Sequence, residues 1–129
     1  MIEAYSQNLS AGTDDTIVFN STANRTNGNI VLSNGTFTVK AVGRYKVTFN
    51  GIYTATSTGV AGVQLYTNGN PLARGQTQAT VVADTVYGFT FSTVVKVLPA
   101  PSGESAELTL KNNLAGTWNL ADIIIERMP

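Results

Sequence analysis

Apolar and polar residues alternate strictly along the segment that follows Gly43. One face of this segment carries Tyr45, Val47, Phe49, Gly51 and Tyr53. The other face carries Arg44, Lys46, Thr48 and Asn50. A period of two over this length is typical of a half-buried antiparallel strand, with apolar side chains inward and polar side chains outward.

Two further segments show the same alternation. The segment Val86–Leu98 places Tyr87, Phe89, Phe91, Thr93, Val95 and Val97 on one face. Near the end of the chain, Ile123 and Ile125 share one face with Ala121, whereas Ile124 lies on the other. An isoleucine on the second face indicates that this face is also covered, and burial between subunits is the sharper interpretation.

No window of ten residues has helical apolar spacing, and glycine and β-branched residues occur throughout. Asn-Gly turn signals such as Asn68-Gly69 separate the apolar segments. We therefore predict a single all-β domain over residues 1–129, a sandwich or barrel of ten antiparallel strands, and the resemblance described below favours the sandwich. The predicted strands are Ala4–Leu9, Thr16–Asn20, Ile30–Leu32, Thr36–Val39, Arg44–Ala55, Gly62–Thr67, Asn70–Gln78, Val86–Leu98, Ser105–Asn112 and Trp118–Arg127. The polar segment Thr22–Asn29 is predicted to be a surface loop.

The composition excludes several classes of protein. Only 12% of residues are charged, and eight basic residues balance eight acidic ones. This balance argues against nucleic acid as a ligand, because nucleic-acid binding requires a basic patch. The longest apolar run, Ile123–Ile125, is far too short to span a membrane. Residues Met1–Ser6 lack the features of a signal peptide, so we expect synthesis in the cytoplasm.

Candidate catalytic chemistry is sparse. The chain contains no histidine and no cysteine, which removes the usual general base, thiol nucleophile and soft metal ligands. We predict that the protein is not an enzyme and needs no cofactor, with a carboxylate-based glycan hydrolase as a minor alternative. Asp14 and Asp15 are weak candidates for a calcium site, and a turn that uses aspartate to bond its own backbone is the simpler interpretation.

The order of the predicted elements resembles the complement C1q-like and tumour-necrosis-factor-like jelly-roll superfamily. The resemblance rests on Thr36–Val39, on Gly43–Phe49, on the hairpin Val63–Gly69 and on Ala121–Arg127, together with the long aromatic strand between them. It covers essentially the whole chain. It is closest to the heads of bacterial spore-surface collagen-like glycoproteins and to structural or receptor-binding proteins of phages.

This resemblance implies a homotrimer. The candidates for its core and its trimer seam are Tyr5, Tyr45, Phe49, Tyr87, Phe89, Phe91, Trp118, Ile123, Ile124 and Ile125. The sequence does not separate core residues from seam residues, because both kinds of position need large apolar side chains.

The resemblance also implies a non-enzymatic head of a phage particle or bacterial surface appendage, located on a virion or on a bacterial or spore surface. Its partners would be other structural proteins of the particle and a cell-surface glycan or protein receptor. Contact loops are expected together at one end, in Thr22–Asn29, Thr56–Ala61 and Ala79–Thr85. Candidate glycan-binding residues are Tyr53, Tyr66, Asn68, Asn70, Trp118 and Asn119. The alternative is a purely structural capsid-decoration or fibre-cap protein without a receptor.

Overall fold

A computed structural model describes residues 1–26, 29–98 and 105–129. These residues form ten β-strands and no helix. The strands are β1 (Ile2–Ala11), β2 (Ser21–Arg25), β3 (Ile30–Ser33), β4 (Thr36–Val39), β5 (Gly43–Ala55), β6 (Gly59–Thr67), β7 (Asn70–Val81), β8 (Val86–Val97), β9 (Ala106–Asn112) and β10 (Gly116–Arg127). The prediction of ten antiparallel strands is confirmed.

The strands form two five-stranded antiparallel sheets. The first sheet has the order β2-β1-β10-β5-β8, and the second has the order β3-β4-β9-β6-β7. Neighbouring strands within each sheet are mostly distant in sequence, and the chain alternates between the sheets as a jelly roll does. The fold is therefore the predicted jelly-roll sandwich, with β8 and β7 as the strands that end the two sheets on the same side.

The core lies between the sheets and takes one face of every long strand. Most of the predicted core and seam residues point into it and are buried: Tyr45, Phe49, Phe89, Phe91, Trp118, Ile123 and Ile125. Tyr87 is half-buried against the same core. Tyr5 and Ile124 do not reach the core, because they alternate with Ala4, Ile123 and Ile125, which do.

A β-bulge in β10 changes which of its side chains face the core. The register of β10 against β5 shifts between Trp118, which is opposite Tyr53, and Leu120, which is opposite Ile52. The extra residue at Asn119 shifts the alternation of β10 by one position, so that Trp118 and Ile123 both face the core although they are five residues apart. In β1, Asn8 adopts a positive φ of 52°, and the register of β1 against β10 is the same on both sides of it.

The predicted strand Thr16–Asn20 is wrong. Ile17 and Phe19 are buried as their alternation suggested, but the segment makes only an isolated bridge from Thr16 to Lys111. It lies beside the buried Ser6, whose Oγ donates to the Val18 carbonyl at 2.6 Å and accepts from the Asn20 amide at 3.0 Å. A side chain thus satisfies backbone groups that a neighbouring strand would otherwise pair.

The predicted surface loop Thr22–Asn29 is also corrected in part. Residues Ser21–Arg25 form β2, which pairs with β1 at the edge of the first sheet. The strand is polar and exposed on both faces, so it lacks the apolar alternation on which the prediction relied. Residues 27 and 28 of the predicted loop lie outside the described residues.

Candidate functional site

The first sheet has one face in the core and one face that no strand of the described residues covers. We call this second face the uncovered face. It is formed by the residues that alternate with the core residues of β1, β10, β5 and β8, namely Glu3, Tyr5, Gln7, Leu120, Asp122, Ile124, Arg44, Lys46, Thr48, Asn50, Ile52, Thr90, Ser92, Val94 and Lys96. Uncharged side chains dominate the middle of this face.

An apolar patch crosses the centre of the uncovered face. Leu120 is opposite Ile52 of β5, whose side chain is 44% exposed. Ile124, farther along β10, is opposite Thr48 and is half-buried. Tyr5 of β1 is opposite Asp122, which separates the two apolar residues of β10 along the strand. A sheet that needed only to face water would place polar residues at these positions.

The patch contains a pair of carboxylates. Burial, a side-chain hydrogen bond to Glu3 and the negative charge of Glu3 together raise the pKa of Asp122 to about 6. Glu3 also accepts, through its Oε1, a 2.8 Å hydrogen bond from Nδ2 of Asn24. Asp122 therefore holds a proton more readily than an isolated carboxylate does, and it can be buried at lower cost in its protonated form.

Behind the uncovered face, the core is built around Trp118. Its ring contacts those of Phe49, Tyr53 and Phe89, with centroids 5.5, 5.0 and 5.8 Å away. Trp118 and Tyr53 are both 0% exposed. The prediction that these two residues could offer an aromatic platform to a glycan is therefore wrong, because both rings are buried in the core and cannot contact a ligand.

The remaining glycan candidates are divided between the sheets. Tyr66, Asn68 and Asn70 lie together on the hairpin that joins β6 to β7 in the second sheet. The Tyr66 ring is half-buried beneath Nζ of Lys111, which lies 4.7 Å from the ring centroid. Asn119 is separate from this group, on the bulge of β10, where its Oδ1 accepts a hydrogen bond from Thr54.

The predicted contact loops do not lie at one end of the sandwich. Thr56–Ala61 and Ala79–Thr85 do meet, since the Ala83 amide donates to Oγ1 of Thr58 at 3.2 Å. Strands β6 and β7 take residues from both segments, which shortens the loops. Thr26, in the described part of the third predicted loop, lies at the opposite end, where its amide donates to the Met1 carbonyl. Any contact surface made of loops is thus split between two ends.

The two candidate calcium ligands serve a turn. Asp14 has a positive φ of 64°, and Oδ2 of Asp15 accepts a hydrogen bond from the Gly12 amide at 3.1 Å. Within residues 1–26, 29–98 and 105–129, no three side chains of the metal-binding types come together. Calcium binding stays a prediction. None of the described residues forms a helix long and apolar enough to cross a membrane.

No protein-family model and no curated protein sequence matches the chain. Solved structures of similar fold do exist. The globular domain of zebrafish complement 1qA superposes with a TM-score of 0.67 at 12% identity, covering 99% of this chain and 96% of that one. Eiger TNF from S. frugiperda gives 0.68 at 12%, covering 99% and 92%. PRD1 vertex protein P5 gives 0.64 at 13%, covering 99% and 96%.

These similarities extend over nearly the full length of both chains in each comparison. The chain therefore has the C1q/TNF-like jelly-roll fold, and the resemblance seen in its strand motifs is confirmed at the level of the fold. The similarity to a vertex protein also extends the match to a component of a virus particle.

Proposed function

We propose that the protein is a non-enzymatic, homotrimeric head of a phage particle or bacterial surface appendage, in which the apolar patch of the uncovered face packs against other copies of the chain. Three identical heads would display their surface together, so that weak individual contacts gain avidity. The fold shared with PRD1 vertex protein P5 supports a place on a virion.

The observation that carries this proposal is the apolar patch of the uncovered face. Ile52 of β5 and Leu120 of β10 are directly opposite each other, and Ile124 lies farther along β10 on the same face, beyond Asp122. On the opposite sheet, the outer positions of β9 are Glu107, Thr109 and Lys111. Enrichment of apolar residues is a mark of an interface core.

The absence of cysteine from the chain makes a direct test possible. Ile52→Cys places a thiol on the uncovered face, and Val60→Cys places a matched thiol on β6 of the second sheet, at a residue that is 53% exposed in the subunit. We expect maleimide to label the Ile52→Cys thiol roughly tenfold more slowly, because interface cores are packed like protein interiors.

Both thiols should react equally fast in denaturant, which controls for intrinsic reactivity. Equal labelling rates in the native protein would contradict the proposal, since Ile52 and Val60 are similarly exposed in the isolated subunit.

A purely structural capsid-decoration or fibre-cap role remains the alternative. It predicts the same trimer, so oligomeric state does not distinguish the two roles. Attachment assays separate the two roles: a binding head labels host cells or surface glycans, and a decoration protein binds only particles.

A further inference from the structure

The side of the sandwich where β7 and β8 end the two sheets contains an open groove of about 560 Å³. Three basic residues line it: Arg44 and Lys96 come from the first sheet, and Arg74 comes from β7 of the second. Among the described residues that line it, none is acidic. Three of the eight basic residues of a chain with no net charge thus meet in one place.

These three cations have no partner in the described part of the chain. Two of the other five basic residues are engaged: Arg127 donates to the Val42 carbonyl at 2.8 Å, and Lys111 lies over the Tyr66 ring. By contrast, Arg44 and Lys96 are directly opposite each other in the β5–β8 ladder. Like charges in this arrangement destabilise a sheet, so folding stability does not explain the pair, whereas a bound anion would.

The remaining lining residues fit a ligand that is more than a simple ion. Leu72, Val94, Val95 and Ala106 provide an apolar surface beside the cations, and Thr67 and Asn68 provide polar groups. Oδ1 of Asn68 accepts a 2.8 Å hydrogen bond from the Glu107 amide. Its side-chain NH₂ group is therefore the part of Asn68 that can donate to a ligand.

We propose that this groove binds an acidic saccharide, a sugar that carries carboxylate, sulfate or phosphate groups. The guanidinium groups of Arg44 and Arg74 pair with the acid groups, since their planar donors match these oxygens. The C–H face of the sugar ring lies on the apolar surface, and Thr67 and Asn68 bond its hydroxyls. This inference rests on the proposed display function. It deepens that function by naming the class of ligand that the displayed head binds.

Nucleic acid shares the phosphate chemistry but fits the groove less well. Binding of single strands depends on aromatic side chains on which bases stack, and none of the described residues that line the groove is aromatic. The chain also lacks the net positive charge that phosphate backbones attract. A DNA oligonucleotide therefore serves as a competing probe.

Isothermal titration of the full chain tests the proposal. The probes are a sulfated heparin hexasaccharide, a hexagalacturonate, a glycerol-phosphate oligomer, neutral maltohexaose and oligo(dT). The variants are Arg44→Gln/Lys96→Gln and Arg74→Gln. Arg25→Gln/Lys40→Gln is the matched control, because it removes the same charge at two exposed residues outside the groove.

We expect at least one acidic saccharide to bind the wild type and the control, and to bind each groove variant about tenfold or more weakly, as expected for a lost charged hydrogen bond. The preferred probe identifies which acid group the groove takes, and maltohexaose should not bind. The proposal is overturned if no acidic saccharide binds, if control and groove variants bind equally, or if oligo(dT) binds most tightly.

The molecular mass of the same samples keeps the two claims separate. A trimer that binds no acidic saccharide overturns only the groove, whereas a monomer overturns the proposed trimeric head.

Discussion

Tyr5 of β1 lies directly opposite Asp122 of β10 on the face of the first sheet that the subunit leaves uncovered. An aromatic ring beside a carboxylate with a raised pKa is unusual for a surface that only faces water. The same two strands direct Ala4 and Ile123 into the core. One pair of strands thus serves both the sandwich and, in our proposal, the contact between subunits.

The carboxylate pair predicts a pH dependence with a definite sign. The pKa of Asp122 is about 6 in the folded chain against 3.8 ordinarily, so the folded state binds the extra proton between these values. Stability should therefore fall as pH rises from about 4 to about 6, and the loss should persist above pH 6. The same protonation should favour association through the uncovered face, because a pair with one negative charge is cheaper to bury than a pair with two.

Asp122→Asn isolates this effect. We expect the variant and the wild type to unfold at the same temperature below about pH 4, and the variant to be more stable above about pH 6. Thermal unfolding followed by circular dichroism across this range measures the difference. A difference that does not change with pH would contradict the raised pKa.

Asn112 is a polar centre within the core. It is 0% exposed, and its Oδ1 accepts a hydrogen bond from Nε1 of Trp118 at 3.1 Å. Its Nδ2 donates to the carbonyls of Ala11, Gly12 and Leu114. Asn112→Leu leaves all these groups without their partner, and we expect a loss of about 3 kcal/mol in the free energy of unfolding.

Urea titration measures this loss, and Trp118→Phe closes a double-mutant cycle with it. The two substitutions should be less than additive, because they share one hydrogen bond. Full additivity would show that the bond between Trp118 and Asn112 does not contribute to stability.

Gly51 makes room for the indole ring of Trp118. A Cβ at this position would lie 2.5 Å from Cζ3 of Trp118 and 2.8 Å from Cζ of Phe49. We expect Gly51→Ala to cost about 1–3 kcal/mol through overpacking. Gly88 of β8 is a matched control, since the nearest atom to its Cβ position is 4.0 Å away. Gly88→Ala should be tolerated, and equal losses at the two glycines in urea titration would contradict the packing account.

Ile124→Asp tests the interface by adding charge to it. A third carboxylate beside Glu3 and Asp122 would repel the pair and remove part of the apolar patch. We expect sedimentation velocity to show monomers of Ile124→Asp that remain folded, because Ile124 does not reach the core. Val60→Asp is the control and should keep the wild-type sedimentation coefficient. An unchanged coefficient for Ile124→Asp would place the interface elsewhere.

Alternation along single strands carried most of the fold prediction. It identified β5 and β8 with their inward residues, because a half-buried strand must alternate in order to be stable. The same rule failed for Thr16–Asn20, where Ile17 and Phe19 alternate inward but Ser6, rather than a strand, bonds the backbone. It also missed β2, since an edge strand exposed on both faces has no apolar pattern.

The candidate sites were harder to predict because they depend on contacts between distant segments. The tryptophan and tyrosine suggested as a glycan platform are buried. The alternation of β5 already placed Tyr53 on the inward face, whereas the burial of Trp118 follows from the bulge beside it, which the sequence pattern does not show. The basic groove was missed because Arg44, Arg74 and Lys96 are scattered along the chain and meet only where β7 and β8 end the two sheets. The uncovered face was predicted from the sequence only through Ile124, an apolar residue on the outward face of its strand.

The mass of the wild-type protein in solution tests the central claim most directly. Light scattering on a sizing column at micromolar concentration should give about three times the chain mass of 13.6 kDa, because the uncovered face is expected to be covered by other copies. A mass of one chain at that concentration would contradict the account, because Tyr5, Leu120 and Ile124 would then face water in a monomer.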